Sequence, residues 1–599
     1  MAVPHFSSPA DESKRRLSLH EQRVQAFETQ HVWFGYLRLL LVFAIVAMAW
    51  TSLVRDCFSP LLLVIPLLGF VVTAVLHSRV LRQQARARRA AEFYRKGLAR
   101  MEDRWPRTSE RSLPADLIAT SLYARDLDIV GKGSLFELLC LARTRMGELW
   151  LLQWLIAPAP LETIYQRQQA VMELHDKVDF RERMAVSGNE VEAGVAPEAL
   201  RQWATSPSGS MQGWMRWVAL VLAALALCAT FAWLQDGTRL PLLAVLLVEL
   251  CVARYFKDQM TAVMRGTDNS LKTLELFSAL FREIEREDFQ TKRLIELKRD
   301  LLSHETSASA AIDALGKIVS YKNTLSNPLL KPFDLLLMYS VQLAFAIQRW
   351  RKLHGEAVPV WLDALGEMEA LLSIAAYSYE HPDDPFPTFT DGPAHLDMQE
   401  VGHPLIPASS CVRNSVTIGG TTRVLLISGS NMSGKSTLMR TVGVNVVLAM
   451  CGAPVRARRM ELTPVTVGAS LVVNDSLLRG KSRFYAEIEK IQAICELARK
   501  SELPVLFLLD ELLQGTNSND RLLGAAGITQ ELVDCGAIGI LTTHDLSLTA
   551  IEKGEGWIKN AHFQDFIVEG EMRFDFRLRD GVVTKSNGVE LMRLIGLKV

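Results

Sequence analysis

Neither sign of charge prevails in this chain: 66 lysines and arginines offset 66 aspartates and glutamates, so net charge alone argues for no polyanionic partner. Nor do the cysteines pair in sequence. The eight (Cys57, Cys140, Cys228, Cys251, Cys411, Cys451, Cys495, Cys535) lie far apart with no C-x-x-C. That argues against a zinc site or a disulfide framework and fits a reducing compartment. They read as small buried thiols. Charge is missing altogether from residues 57–76, CFSPLLLVIPLLGFVVTAVL, which reach the roughly 20 residues a helix needs to cross a bilayer. LLLVFAIVAMAWTSLV (39–54) is also uncharged, and it reaches spanning length when VWFGYLR joins it. Arg38 then snorkels to the headgroups beside Trp33 and Tyr36. Only Arg55 and Asp56 separate the two runs, so they read as a tight helical hairpin. A cleaved signal peptide is excluded by the late start and the second span that follows at once.

A second hairpin is expected at WVALVLAALALCATFAWLQ (217–235), the turn DGTR, and the return run LPLLAVLLVELCVARYF. Glu249 interrupts that return, so the alternative of an apolar core in a soluble protein weighs more here than on the first hairpin. FDLLLMYSVQLAFAI (333–347) is too short and polar to span and reads as a buried helix. Lys14, Arg15, Arg16 and Arg23 precede the first hairpin, and Arg79, Arg82, Arg86, Arg88 and Arg89 follow it. By the positive-inside rule both of its ends face the cytoplasm. Parity agrees. One crossing at 217–235 without a return would leave everything downstream outside, away from ATP.

A chain of 599 residues holds several domains, because one core rarely serves more than about 250–300 residues. Downstream, GSNMSGKS (429–436) fits G-x-x-x-x-G-K-[ST], with the buried-strand pattern RVLLIS before it and helical spacing after it. Glycines let backbone N–H groups curl around phosphate oxygens, and a helix N-terminus adds its dipole. Gly429, Ser430, Asn431, Met432, Ser433, Gly434, Lys435, Ser436 and Thr437 are thus the candidate ATP ligands. Lys435 neutralises the outer phosphates, and Ser436 offers its hydroxyl to Mg2+. VLFLLDELLQGTNSND (505–520) starts as a buried strand ending in Asp510-Glu511. Asp510 can hold Mg2+ through water, and Glu511 can take a proton from the attacking water. AIGILTTHDL (537–546) is a third strand, ending in Thr543-His544. His544 reads as a γ-phosphate sensor in this order, and as a core-edge histidine when taken alone.

These segments, ISGSNMSGKSTLMRTVGVNVVLAMCGAPVRA (427–457), GASLVVNDSLLRGKSRFYAEIEKI (468–491), LLDELLQGTNSND, TTHDL and KSNGVELMRLIGL (585–597), resemble the ATPase of the MutS family in order. Upstream, residues 133–174, 361–380 and VGHPLI (401–406) are similar to its core domain, its returning helix and the strand entering the ATPase. The resemblance covers about 133–190 and 270–599. It implies ATP and Mg2+ as cofactors and a homodimer through the ATPase domain. In that dimer Ser482 reaches the nucleotide of the other subunit; a plain helix N-cap is its alternative role. The chain departs from the family at Ser430 and Ser433 for Pro and Gly, at Lys481 and Arg483 for Arg and Thr, and at Leu512-Leu513-Gln514 for Ile-Gly-Arg. None of these removes a phosphate ligand, the magnesium hydroxyl or the base. The first hairpin stands where the family's mismatch-reading domain would lie, and no Phe-x-Glu wedge occurs there. Lysines and arginines of 257–300 alternate with acids, as on a solvated helix and unlike a DNA clamp.

The expected fold is an α/β P-loop NTPase domain of MutS type, a mainly helical core and lever, and four transmembrane helices. Six segments follow: an N-terminal cytoplasmic stretch (1–31), hairpin 1 (32–78), a helical linker with the first part of the core (79–212), hairpin 2 (213–256), the core and lever (257–395) and the ATPase (396–599). The expected function is a multi-pass inner-membrane ATPase of DNA-mismatch-repair type. Its ATPase domain is cytoplasmic, its partners are the bilayer and a second copy, and DNA is a candidate ligand. The rival is a membrane scaffold or transporter-like protein with an ABC-type ATPase acting on a protein or small molecule. Against a transporter stand the lack of an LSGGQ-type signature and the few short spans.

Overall fold

The computed structural model describes residues 8–55, 59–105, 112–187, 197–206, 211–264, 271–302, 306–325, 327, 330–430, 432–471, 483–514, 516–545, 547–549, 556–568 and 571–583. Asn431, Ser482 with the segment 472–482, the closing segment 585–597, and Asp56 and Cys57 lie outside the described residues. The chain forms two compact units: Met1–Cys140, Leu151–Asp176 and Leu371–Val599 make one, Leu141–Trp150 and Lys177–Ala370 the other.

The first unit begins with two long antiparallel helices, Pro9–Arg55 and Val64–Met101. On the second, His77, Val80, Gln84, Ala87, Ala91, Tyr94 and Leu98 are buried, the alternating three-and-four spacing of a coiled-coil seam. Across the seam His20 stacks on Tyr94 with ring centroids 5.9 Å apart, and His31 Nδ1 lies 2.7 Å from His77 Nε2. Large apolar side chains point outward instead: Leu40, Phe43, Trp50, Leu61 and Ile65 are 62–78% exposed. Neither helix breaks near residues 31 or 78, where the hairpin was expected to meet its flanks. The second runs on from Arg79 to Met101, about 34 Å, because the buried seam continues past the apolar run. Its last turn is fixed by Arg100, whose Nε donates to Glu380 Oε2 at 2.8 Å; the two side chains are 10% and 7% exposed.

Among the described residues this unit also holds ten strands: β1 (Thr388–Phe389), β2 (His395–Val401), β3 (Asn414–Gly419), β4 (Val424–Ser428), β5 (Arg459–Leu462), β6 (Thr466–Ser470), β7 (Val505–Leu509), β8 (Ile538–Thr543), β9 (Ile558–Val568) and β10 (Glu571–Asp580). A four-stranded sheet is ordered β1-β5-β2-β3, and a six-stranded sheet β10-β9-β4-β8-β7-β6. In the larger sheet β9, β4, β8, β7 and β6 are parallel, and β10 returns antiparallel to β9. Parallel strands are covered on both faces, which is why β4, β6, β7 and β8 are buried at every residue and why β4, β7 and the first part of β8 read as apolar runs.

The second unit holds helices and no strand among its described residues. Gly213–Asp236 and Leu240–Met264 form the second hairpin, and Gly237 (φ +71°) caps the first arm in a left-handed conformation that glycine adopts freely. Three helices among the described residues are long and apolar enough to cross a membrane: Pro9–Ser52, Leu61–Met101 and Gly213–Asp236. The return arm Leu240–Met264 is not among them, since Glu249, Arg254 and Lys257 fall within it. The apolar run 333–347 is not one buried helix. It breaks at Met338 (φ +47°) into Lys331–Leu337 and Tyr339–His354, and Asp334 accepts from Ser340 N at 2.7 Å to start the second. Phe333 is 58% exposed, whereas Val341, Ala344 and Ile347 are buried. All described cysteines are free thiols, but only Cys140, Cys451 and Cys495 are buried; Cys228 and Cys251 are exposed on the two hairpin arms.

Candidate nucleotide site

The site lies where the parallel strands end. Register pairs Ser428 with Thr543 and Leu509 with Leu541, so the residues after β4, β7 and β8 emerge at one edge of the sheet. The turn after β4 needs both its glycines. A Cβ on Gly429 would sit 2.9 Å from Ser433 Oγ and 3.1 Å from Phe563 O. Gly434 has φ +106°, and a Cβ there would meet the Phe576 ring at 3.2 Å. Met432 takes φ +69° and holds its side chain 86% exposed. The helix Lys435–Cys451 then starts without a side-chain cap, which leaves its first N–H groups free for a ligand. Ser430 Oγ and Ser433 Oγ are buried and have no hydrogen-bond partner among the described residues. Open helix amides and unfilled hydroxyls in one turn fit a phosphate group.

Lys435 is almost wholly buried. Its Nζ donates to Gly429 O at 2.8 Å and Ser430 O at 3.0 Å, and Glu511 Oε1 lies 3.9 Å away. Burial pulls the ammonium below the usual lysine range, against the opposing charges of Glu511 and Asp510. Ser436 Oγ donates to Asp510 Oδ2 at 2.5 Å, so the hydroxyl and the carboxylate expected to share a metal already touch. Thr542 Oγ1 donates to the other oxygen, Asp510 Oδ1, and accepts from Glu511 N at 3.1 Å. Glu511 takes φ +48°, a left-handed backbone uncommon for a side chain of this kind, and that turns its carboxylate toward the loop. His544 Nδ1 is 3.6 Å from Glu511 Oε1, and its ring is half exposed. A hard-oxygen pair beside a buried lysine suits Mg2+.

Of the residues singled out in sequence, Gly429, Ser430, Ser433, Gly434, Lys435, Ser436, Asp510, Glu511 and His544 meet here, Met432 lies at the rim and Thr437 is exposed one residue on. Three participants had no motif to give them away. Thr542 joins the two acids, although the doubled threonine of LTTHD was a signal. Phe576, at the irregular step of β10 (φ +54°), lays its ring on Gly434, and its carbonyl accepts from Asn414 Nδ2 at 3.0 Å. Asp126 ties a distant segment to the rim of the sheet, through Leu471 N and Lys490 Nζ.

Residues 425–598 match the profile of MutS domain V. The chain is 35% identical over 242 residues to the DNA mismatch repair protein MutS 2 of Halobacterium salinarum, covering 39% of this chain and 27% of that protein. It is 32% identical over 272 residues to the DNA mismatch repair protein MSH6 of Arabidopsis thaliana, covering 42% and 20%. With the Endonuclease MutS2 of Thermus thermophilus the identity is 28% over 325 residues, covering 52% and 42%. The chain thus spans between 20% and 42% of the length of these relatives.

Proposed function

Because the chain belongs to the MutS family, we propose that its C-terminal P-loop domain is a Mg2+-dependent ATPase. The observation that carries this is the meeting of Ser436, Asp510 and Thr542 beside Lys435 and Glu511, under a loop with two unsatisfied hydroxyls. Ser436 and Asp510 would hold Mg2+, which when bound neutralises phosphate charge. Lys435 binds the outer phosphates, and the amides after Gly434 donate to them. Glu511 accepts the proton of the attacking water at its carboxylate, and His544 orients that carboxylate. Thr542 keeps the two acids in a fixed relation, so the metal ligand and the base stay matched.

By the same proposal the protein sits in the inner membrane on two hairpins, with its ATPase in the cytoplasm and the arm Leu240–Met264 as the fourth span. The outward apolar faces of the long helices support this. Two copies pair through their ATPase domains, and Ser482 of each serves the other's site. The names of the relatives, DNA mismatch repair proteins, make mismatched DNA the candidate ligand. Purified chain in nanodiscs is the test. Lys435→Ala should abolish nucleotide binding, and Glu511→Gln should retain ATP while turnover drops about 10²–10⁴-fold. Undiminished turnover in the Gln variant sinks the assignment of the base. Equal ATPase rates with and without homoduplex, mismatched and branched DNA would turn the ligand toward a protein partner.

A further inference from the structure

Asp126 lies more than three hundred residues before the phosphate loop, in a stretch that no motif marks. Its side chain is 6% exposed, and a carboxylate so buried is costly unless every oxygen is engaged. Both are. Oδ1 accepts from Leu471 N at 2.8 Å, immediately after β6, and Oδ2 accepts from Lys490 Nζ at 2.5 Å, on the helix Arg483–Lys500. The Asp126 carbonyl accepts from Arg440 Nε at 3.0 Å, one helical turn beyond Ser436. Arg440 also approaches Asp128 at 3.4 Å. Neighbouring residues bind the same edge. Leu122 O accepts from Ala469 N at 3.3 Å, and Leu127, fully buried, packs where a Cβ on Gly443 would come within 2.6 Å of it.

The anchored atoms all adjoin the metal side of the site. Ser470, next to Leu471, accepts Asp510 N through its carbonyl at 3.0 Å, and this hydrogen bond fixes the backbone from which the Asp510 carboxylate reaches Ser436. Arg440 shares its helix with Ser436. The helix bearing Lys490 also bears Glu487, which accepts from Leu513 N at 2.7 Å, two residues past Glu511. One residue therefore joins three elements around the magnesium hydroxyl and the magnesium carboxylate: its carboxylate holds the end of β6 and the helix Arg483–Lys500, and its backbone carbonyl holds the helix Lys435–Cys451. We propose that Asp126 is a positioning residue for the metal half of the nucleotide site. It rests on the ATPase reading above and extends it to a residue outside the ATPase domain. Its carboxylate acts through β6 and the helix Arg483–Lys500, and it touches neither nucleotide nor metal.

The test is a Mg2+ titration of ATPase and of fluorescent-nucleotide binding, on the full chain in nanodiscs. Asp126→Asn keeps an acceptor for Leu471 N but turns an amide toward the Lys490 ammonium. The Mg2+ concentration for half-maximal activity should rise about tenfold, the lower end of what losing such a supporting partner costs a metal site. Nucleotide binding without metal should stay within about twofold. Lys490→Met should shift the Mg2+ midpoint in the same direction, and the double variant should be no worse than the more affected single, as coupled neighbours behave. Ser436→Ala and Asp510→Asn are the controls. If they shift the midpoint and Asp126→Asn does not, this inference is overturned while the ATPase assignment stands. If they too leave it unchanged, the assignment of the metal site fails with it. Equal losses of metal-free and Mg2+-dependent binding at a lowered melting temperature would mean a general support of the fold, which also overturns the proposal.

Discussion

In β4, β6, β7 and β8 every residue is buried, and along β4 and β7 valine, leucine, isoleucine and phenylalanine fill the interior. In the paired helices Pro9–Arg55 and Val64–Met101 the same residue types face outward, while alanine, histidine, glutamine and tyrosine line the seam. Water drives the first arrangement and forbids the second, because soluble proteins rarely expose contiguous apolar patches beyond a few hundred Å². On the membrane proposal, two regions of one unit are built for two solvents. The sheet hides apolar surface from water. On the membrane proposal the hairpin presents it to lipid, and its helices meet along the seam of His77, Val80, Gln84, Ala87, Ala91 and Tyr94.

The largest effect expected from this contrast comes from truncating one aromatic in each region. Phe507, on β7, is fully buried, and its ring lies against Gly539, where a Cβ would come within 2.3 Å of it. Phe507→Ala should destabilise the unit by about 3–5 kcal/mol, through lost burial plus a cavity. Phe43, 67% exposed, should lose almost nothing when cut to alanine in detergent. Thermal unfolding of the two purified variants checks this. Equal losses would break the comparison.

A smaller effect, of opposite placement, is expected from charge. Phe43→Arg puts a guanidinium on the outward face, and membrane insertion should be disfavoured by about 2.5–3.5 kcal/mol if that face meets lipid. The readout is the fraction of chain that resists carbonate extraction from membranes. An unchanged fraction would put the outward face in contact with something other than lipid.

How far the two regions can be read from sequence follows the same contrast. A parallel strand covered on both faces announces itself as an apolar run, so β4, β7 and β8 and the residues at their ends, Gly429, Asp510 and His544, are legible. The phosphate loop is legible because its chemistry is local. Thr542 is not, because its bond to Asp510 depends on β7 and β8 being neighbours in the sheet, which spacing along the chain does not reveal. Phe576 escapes for a similar reason. It reaches Gly434 through an irregular step in β10, two strands from β4. In the long helices the uncharged runs show where lipid is expected but not where the helices end, since the seam of His77, Val80, Gln84 and Ala87 crosses that limit without interruption. The return arm of the second hairpin is ambiguous in sequence because of Glu249, and by composition it falls outside the three span-length apolar helices.

The smallest expected effect tests how strictly the water-built region rejects charge. His403, 6% exposed, accepts from Leu405 N through Nδ1 at 3.2 Å, so that nitrogen must be unprotonated in the folded state. Burial, then Arg440 and Arg456, push its pKa down to about 4, against an ordinary value of 6.5. A base whose folded pKa is depressed binds its proton better when unfolded. Its contribution is therefore level above about pH 6.5 and is lost as pH falls through 6.5 toward 4. Between pH 7 and pH 5 this single group should remove about 2 kcal/mol of stability. His403→Gln retains an acceptor for Leu405 N without a titrating nitrogen. Denaturant unfolding at the two pH values should then show the variant losing less stability on acidification than the parent, by about that amount. Parallel pH profiles for parent and variant would mean that the interior around His403 admits a proton, and that the boundary between the two kinds of packing is softer than the buried strands suggest.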